Sequence, residues 1–531
     1  MFAPWERRGR KLIAPLTQLA ALVLIGLVFH LGVSSERTGF VREVLDPGFR
    51  KLSDPVLNAF RKKPPPVPLF ALTLDVKDAD SLKVLEQKAF TTRRVLVEDL
   101  SAFNGMLRMG EREIPVAVNL RAGAIPPGQI GHWPIQLRAL PSDTILGMQT
   151  FDLMPVVDGT ALWSMLLHDM LKNLGGPSLP SGLAELELNG KNRGLYMAMG
   201  RPDTRTIAGW SRGSGPTMRY DESLRLNTRS AMAERDLPSM QPPQGHWLSA
   251  PLLIQNAEGR ASTERTQRAI RQMEGFRAGG RMASQVFDAP SVARLLALCD
   301  LLGTRSATAW WNLQFVLDSV SSKLVPVPMH ILQHGPIDAI SGTHLFMDIG
   351  NMDEGQELER RWLMDTVIFH AYIAYLDTFS TPGWWEQELE RTRLTWGAAR
   401  NVIHSADRSR DLDLQIVEHD RTVIRQTLYP TDLALAYMRN ASDPADGLAI
   451  ANVHELPIEL TGLIFGEQDT VWLLKRMHLL PRDRDKPLHY VVLPFTSLEG
   501  YGIPREIVIQ VTDAIPARSA RIRSWSTFGA N

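Results

Sequence analysis

The chain has 531 residues, 44% hydrophobic and 22% charged, which at roughly 150 residues per domain is enough for two to four cores. Lys plus Arg number 58 and Asp plus Glu number 58, so the formal net charge is zero and nucleic acid is excluded as the main partner. One cysteine, Cys299, excludes an internal disulfide, and its apolar neighbours at 295–302 mark it as a buried thiol.

Met1–Lys11 carries Arg7, Arg8, Arg10 and Lys11 against Glu6 alone, and residues 12–33 follow without a charge. At about 1.5 Å per residue that run spans roughly 33 Å, one hydrocarbon core. The basic flank predicts a single-pass transmembrane helix at 12–33, with 1–11 cytoplasmic and the bulk periplasmic or extracellular. The rival is a cleaved signal peptide, whose apolar core is roughly 7–15 residues; Gly32-Val33-Ser34-Ser35 is a weak cleavage site. Residues 34–66 break at Pro47 and Pro55 and end in Arg61-Lys62-Lys63-Pro64-Pro65-Pro66, the composition of a proline-rich stalk.

Short strand-like runs follow at 69–76, 94–99, 114–120 and 134–140. Residues 161–174 have helical spacing, with Lys172 in the last turn and Gly175-Gly176 as the stop. Runs 183–188 and 194–199 alternate around Asn189-Gly190, whose positive φ angles suit a tight hairpin. Residues 221–260 give little pattern. Helices are predicted near 263–278 and 290–302, the second capped by Asp288 with Pro290 in its first turn. A second hairpin is predicted from 312–317 and 323–327, helices from about 355 to 438, and β structure beyond 449.

Several stretches in the middle of the chain are similar to a known family. They are His132-Trp133-Pro134-Ile135-Gln136-Leu137-Arg138, Leu146-Gly147-Met148-Gln149-Thr150-Phe151 and Leu186-Glu187-Leu188-Asn189-Gly190-Lys191-Asn192-Arg193-Gly194-Leu195-Tyr196. Gly215-Pro216-Thr217-Met218-Arg219-Tyr220-Asp221-Glu222, Asn312-Leu313-Gln314-Phe315 and Leu324-Val325-Pro326-Val327-Pro328 continue the series. Tail patterns at 424–430 and 452–459 extend it, so that most of residues 110–465 is covered. In order and spacing this resembles the membrane-anchored bacterial members of the spore-coat-protein-H (CotH) kinase-like family, an atypical branch of the protein-kinase fold.

The resemblance implies phosphoryl transfer from ATP with Mg²⁺, which needs a cation on the phosphates, carboxylates on the metal and a carboxylate base. Several of those groups are replaced. His132 stands where the family has Lys, Met199-Gly200-Arg201 where it has acids, and Ser306 where it has His. His330 takes the place of the metal-binding Asp, and Arg219 that of a phosphate-binding Lys. What remains is Asp300 as a catalytic base and Asn312 as a catalytic and metal-binding residue, both with structural alternatives. Arg138, Arg219, Gly213 and Gly215 remain as nucleotide-binding residues.

Other patterns are weaker. Gly209-Trp210-Ser211-Arg212-Gly213 fits a nucleophile elbow, but Ser214-Gly215-Pro216 prevents the helix an elbow needs. His330 and His334 have metal-ligand spacing for a helix, beside Gly335-Pro336 which disfavours one. His454-Glu455-Leu456-Pro457 lacks the second His of a zinc peptidase. Trp310-Trp311 and Trp384-Trp385 suit either sugar stacking or core packing.

The expected fold is therefore α+β. An atypical kinase-like core at 67–350 follows a transmembrane helix, with a helical continuation at 351–445 and a C-terminal β-sandwich at 446–531. The expected function is a degenerate, envelope-facing kinase-like protein that binds or scaffolds in cell-surface assembly. Its partners would be the membrane through the N-terminal helix, and envelope proteins or polysaccharide. Alternatives are an active kinase using ATP and Mg²⁺, or a carbohydrate-binding surface protein.

Overall fold

Alternation of apolar and polar residues after the proline run builds a closed barrel. Its strands are β1 (Leu69–Leu74), β2 (Ala102–Met109), β3 (Arg112–Leu120), β4 (Ile135–Ala139), β5 (Thr150–Pro155), β6 (Ser181–Leu188) and β7 (Lys191–Gly200). They are hydrogen-bonded in the order β1-β2-β3-β4-β5-β7-β6, and parallel pairing of β1 with β6 closes the ring. Phe70, Leu72, Leu107, Leu137, Phe151 and Leu186 fill the interior. Helix α1 (Val76–Thr92) adds Leu82 and Leu85 to that core. In this computed structural model residues 66–92, 94–95, 102–120, 123–124, 132–140, 143–203, 206–207, 209–210, 215–234, 245–255, 260–346, 355–406, 410–438, 447–466, 469–483, 486–494, 503–513 and 515–524 are described.

Local signals in the sequence operate as physics requires. Asn189 and Gly190 adopt φ of 50° and 75° between β6 and β7, and the Asn189 Oδ1 also accepts from the Leu74 N–H at 2.9 Å. Helix α2 (Thr160–Asn173) stops at Gly175, whose φ is 69°.

A four-stranded sheet follows, made of β8 (Thr217–Tyr220), β9 (Leu252–Gln255), β10 (Leu313–Leu317) and β11 (Leu324–Pro328) in the order β9-β8-β10-β11. The helices around it are α3 (Ser223–Glu234), α4 (Arg260–Arg277), α5 (Ala289–Leu301), α6 (Glu357–Leu363), α7 (Thr366–Phe379), α8 (Pro382–Ala406) and α9 (Gln415–Leu428). Helix α5 is the centre of this half. Asp288 caps it by accepting from the Ser291 N–H at 3.2 Å, and Val292 to Leu301 is buried except at Arg294. A helix apolar on every side belongs in a core.

The last unit contains β12 (Ala434–Met438), β13 (Gly447–Asn452), β14 (Ile458–Phe465), β15 (Asp469–Leu479), β16 (Val491–Pro494), β17 (Glu506–Gln510) and β18 (Arg518–Ser524). They form one sheet in the order β15-β14-β17-β18-β12-β13-β16, with β12 and β18 parallel.

This architecture corrects the expected fold class. The expected kinase-like core begins instead with a closed seven-stranded barrel, and the expected C-terminal sandwich is one continuous seven-stranded sheet. The same inward-outward alternation serves a sandwich, a single sheet or a barrel, so only pairing separates them. The membrane expectation is also withdrawn, and with it the membrane as a partner. Among the described residues no helix is long and apolar enough to cross a membrane. The helix expected at 12–33 and the stalk at 34–65 lie outside the described residues.

Candidate functional site

The outer face of the barrel meets the helical half around one carboxylate. Ile135, Leu137 and Ala139 of β4 point into the barrel, which turns Gln136 and Arg138 outward. Register places Gln136 opposite Asp152 of β5 and Arg138 opposite Thr150. Asp152 is an outward residue with 0% exposure, because the segment after β11 covers it. Arg201, just past β7, grips both of its oxygens, Nε to Oδ1 at 2.8 Å and Nη2 to Oδ2 at 3.0 Å. His330 Nε2 reaches the same Oδ2 at 2.8 Å from the other side. The Gln136 amide, turned to satisfy its neighbours, adds its oxygen as a further acceptor for the guanidinium.

His330 is in turn held by Asn312, which stands where β10 begins. The Asn312 Nδ2 donates to the Ser306 carbonyl at 2.8 Å and to the His330 carbonyl, and its Oδ1 accepts from the His330 N–H at 3.3 Å. Behind it His168 accepts from the Leu179 N–H at 3.1 Å and reaches the Met329 carbonyl at 3.3 Å. Burial lowers its pKa to about 4, so this ring stays neutral and structural. Within the barrel Arg201 and Asp152 form a buried, bidentate ion pair, and the His330 contact to the same carboxylate ties the barrel to the helical half.

Asp300 lies on the other side of the 305–307 turn, in the last turn of α5. Its Oδ1 accepts from Arg305 Nε at 3.1 Å and from Ser341 Oγ at 2.8 Å. Its Oδ2 accepts from the Ser341 N–H at 2.9 Å and from the Tyr372 hydroxyl. Burial and then the adjacent Asp300 charge hold the Tyr372 hydroxyl far above its ordinary range. Glu359 accepts from Thr308 Oγ1 at 3.0 Å, and burial raises its pKa. Four donors on two oxygens, at 0% exposure, leave Asp300 little capacity to take a proton from an incoming hydroxyl.

Of the four expected nucleotide-binding residues, Arg138 lies on the barrel and Arg219 and Gly215 lie in and beside a strand of the four-stranded sheet. Arg138 is exposed on β4, two residues along from Gln136. Arg219 is half-buried on β8, opposite Leu253 of β9, in a different sheet. A Cβ on Gly215 would overlap the Leu317 carbonyl oxygen, so this glycine serves close backbone packing against the end of β10. Gly215→Ala is expected to destabilise the protein by on the order of 1–3 kcal/mol, read as a lowered urea midpoint. Gly213 lies outside the described residues.

Among the described residues no group of three or more His, Cys, Asp and Glu side chains is disposed to hold a metal. His330 and His334 diverge: the first is bonded to Asp152, while the second lies 5.5 Å from the Trp163 ring. Trp310 and Trp385 are buried, Trp384 stacks on Phe379 at 4.3 Å, and Trp311 stacks under Arg225 at 3.9 Å. The sequence marks Arg201 as a replacement and His330 as a replacement and one of a spaced His pair, and carries no mark on Asp152, Ser341, Glu359 or Tyr372 as site residues. A carboxylate set between Phe151 and Leu153 in a strand was the available signal. No family model matches the chain, and no curated protein matches it.

Proposed function

We propose that this chain is a non-catalytic binding or scaffolding protein. The observation that carries the proposal is how the acidic and amide groups suited to phosphoryl transfer are used. Asp300 receives four internal donors, and Asn312 spends its amide on the Ser306 and His330 backbone. A catalytic base or a metal ligand needs an oxygen that a reactant can reach. His330, where the resemblance would place a metal carboxylate, is itself bonded to Asp152.

Calorimetric titration of Mg²⁺–ATP, then Mn²⁺–ATP, into the full chain tests this. The expected result is no saturable heat and no rise in Tm at millimolar nucleotide, since any ligand that binds the native state must stabilise it. Saturable binding that Asn312→Ala abolishes while the fold is retained would overturn the proposal.

A further inference from the structure

We infer that the Asp420 carboxyl keeps its proton in the native fold at mildly acidic pH, where an exposed aspartate has lost it, and that its loss loosens the packing of α9 against the end of α5. The inference stands apart from whether the chain binds nucleotide. Asp420 lies in the second turn of α9 and is fully buried. Its Oδ1 accepts from the Ile337 N–H at 2.9 Å. Its Oδ2 is equally buried and has no hydrogen-bond partner among the described residues. A buried carboxylate oxygen left this way is costly, and a protonated one is far less so.

The surroundings of that oxygen favour the neutral acid. Helix α5 ends at Gly303, φ 61°, in a turn closed by the Thr304 N–H on the Cys299 carbonyl at 2.8 Å. A Cβ placed on Gly303 would stand 2.9 Å from Asp420 Oδ2 and would overlap the Gly335 carbonyl oxygen. The Oδ2 therefore sits beside the C-terminal turn of α5, the negative end of a helix, which disfavours a carboxylate.

Charged and titratable groups face Asp420 from each neighbouring element. Asp300 comes from α5 and Arg305 from the turn after it, with Glu359 of α6 and Tyr372 of α7 attached to that pair. On α9 itself, His419 Nε2 lies 3.2 Å from the Ile337 carbonyl, and Arg421 pairs with Glu418 at 2.9 Å. Burial first, and then Asp300, push the Asp420 pKa up to about 7 against the pull of the Ile337 N–H and Arg305. An unfolded aspartate titrates near 3.9. Between those values the native state holds a proton that the unfolded state lacks, so stability falls as pH rises from about 4 to about 7 and levels off above that. That is the reverse of a salt-bridged carboxylate. The strand of contacts released includes Ile337, four residues before the Ser341 that serves Asp300.

The test compares wild type with Asp420→Asn, the shape of the protonated acid, by thermal unfolding of the full chain. Between about pH 5.5 and pH 8, wild-type Tm should fall by roughly 3 °C more than that of the variant, which should melt higher than wild type at pH 8. In wild type labelled with ¹³C at aspartate carboxyls, one resonance coupled through space to the Ile337 N–H should titrate near pH 7. Parallel pH profiles for the two proteins, or an Ile337-linked carboxyl already ionised at pH 6, would overturn the inference.

Discussion

Asp300→Ala is expected to lower the unfolding free energy by on the order of 3–5 kcal/mol. Removing the carboxylate takes one partner from the Arg305 guanidinium and leaves the Tyr372 hydroxyl and both donors of Ser341 without the acceptor they share in a fully buried site. Each orphaned donor costs its desolvation penalty, and the cavity adds its own cost. Asp300→Asn keeps one acceptor and should cost less than the alanine variant. Urea unfolding at one pH measures both, and an alanine variant within about 1 kcal/mol of wild type would contradict the structural role.

A loss of similar size is expected for Asp152→Ala, on the order of 3–5 kcal/mol, because Arg201 and His330 would then face each other across a buried gap. Arg201→Met should also destabilise, since it leaves Asp152 with His330 as its remaining charged-group partner among the bonds described above. The double variant Asp152→Ala with Arg201→Met leaves no unpaired ion from that pair. It should therefore be less damaging than the sum of the singles, with a coupling of about 0.5–3 kcal/mol in a double-mutant cycle. Strictly additive losses would mean that the pair is not acting as a unit.

These two sites also show what reading the chain alone could reach. The Asn189-Gly190 turn, the Asp288 cap and the glycine stop after α2 were all legible, because each depends on φ, ψ or one hydrogen bond within a few residues. The Asp152–His330 contact spans 178 residues and the Asp300–Tyr372 contact 72, and no spacing rule connects residues so far apart. Asp300 and Asn312 were legible as chemistry-bearing residues, yet the Asp300 partners Ser341 and Tyr372 carry no pattern that marks them. Resemblance to a kinase-like family directed attention to His330 and Arg201 as replacements. It did not reveal that they share a carboxylate on the barrel.

By itself the sequence determined certain local elements, the Asn189-Gly190 hairpin and the ends of α2 and α5 among them, whereas it did not mark α1, β2, β5 or α3 and assigned Ala434–Met438 to helix. Backbone sterics and capping act over a few residues and are indifferent to the rest of the chain. Tertiary structure alone decided that β1 pairs in parallel with β6 to close a barrel, and that β12 pairs with β18 to make one sheet. It also decided that Asp300, Asp152 and Asp420 lie at 0% exposure. Such pairings are selected by the burial of many side chains at once, set against the entropy of closing long loops, and that balance exists only in the assembled fold.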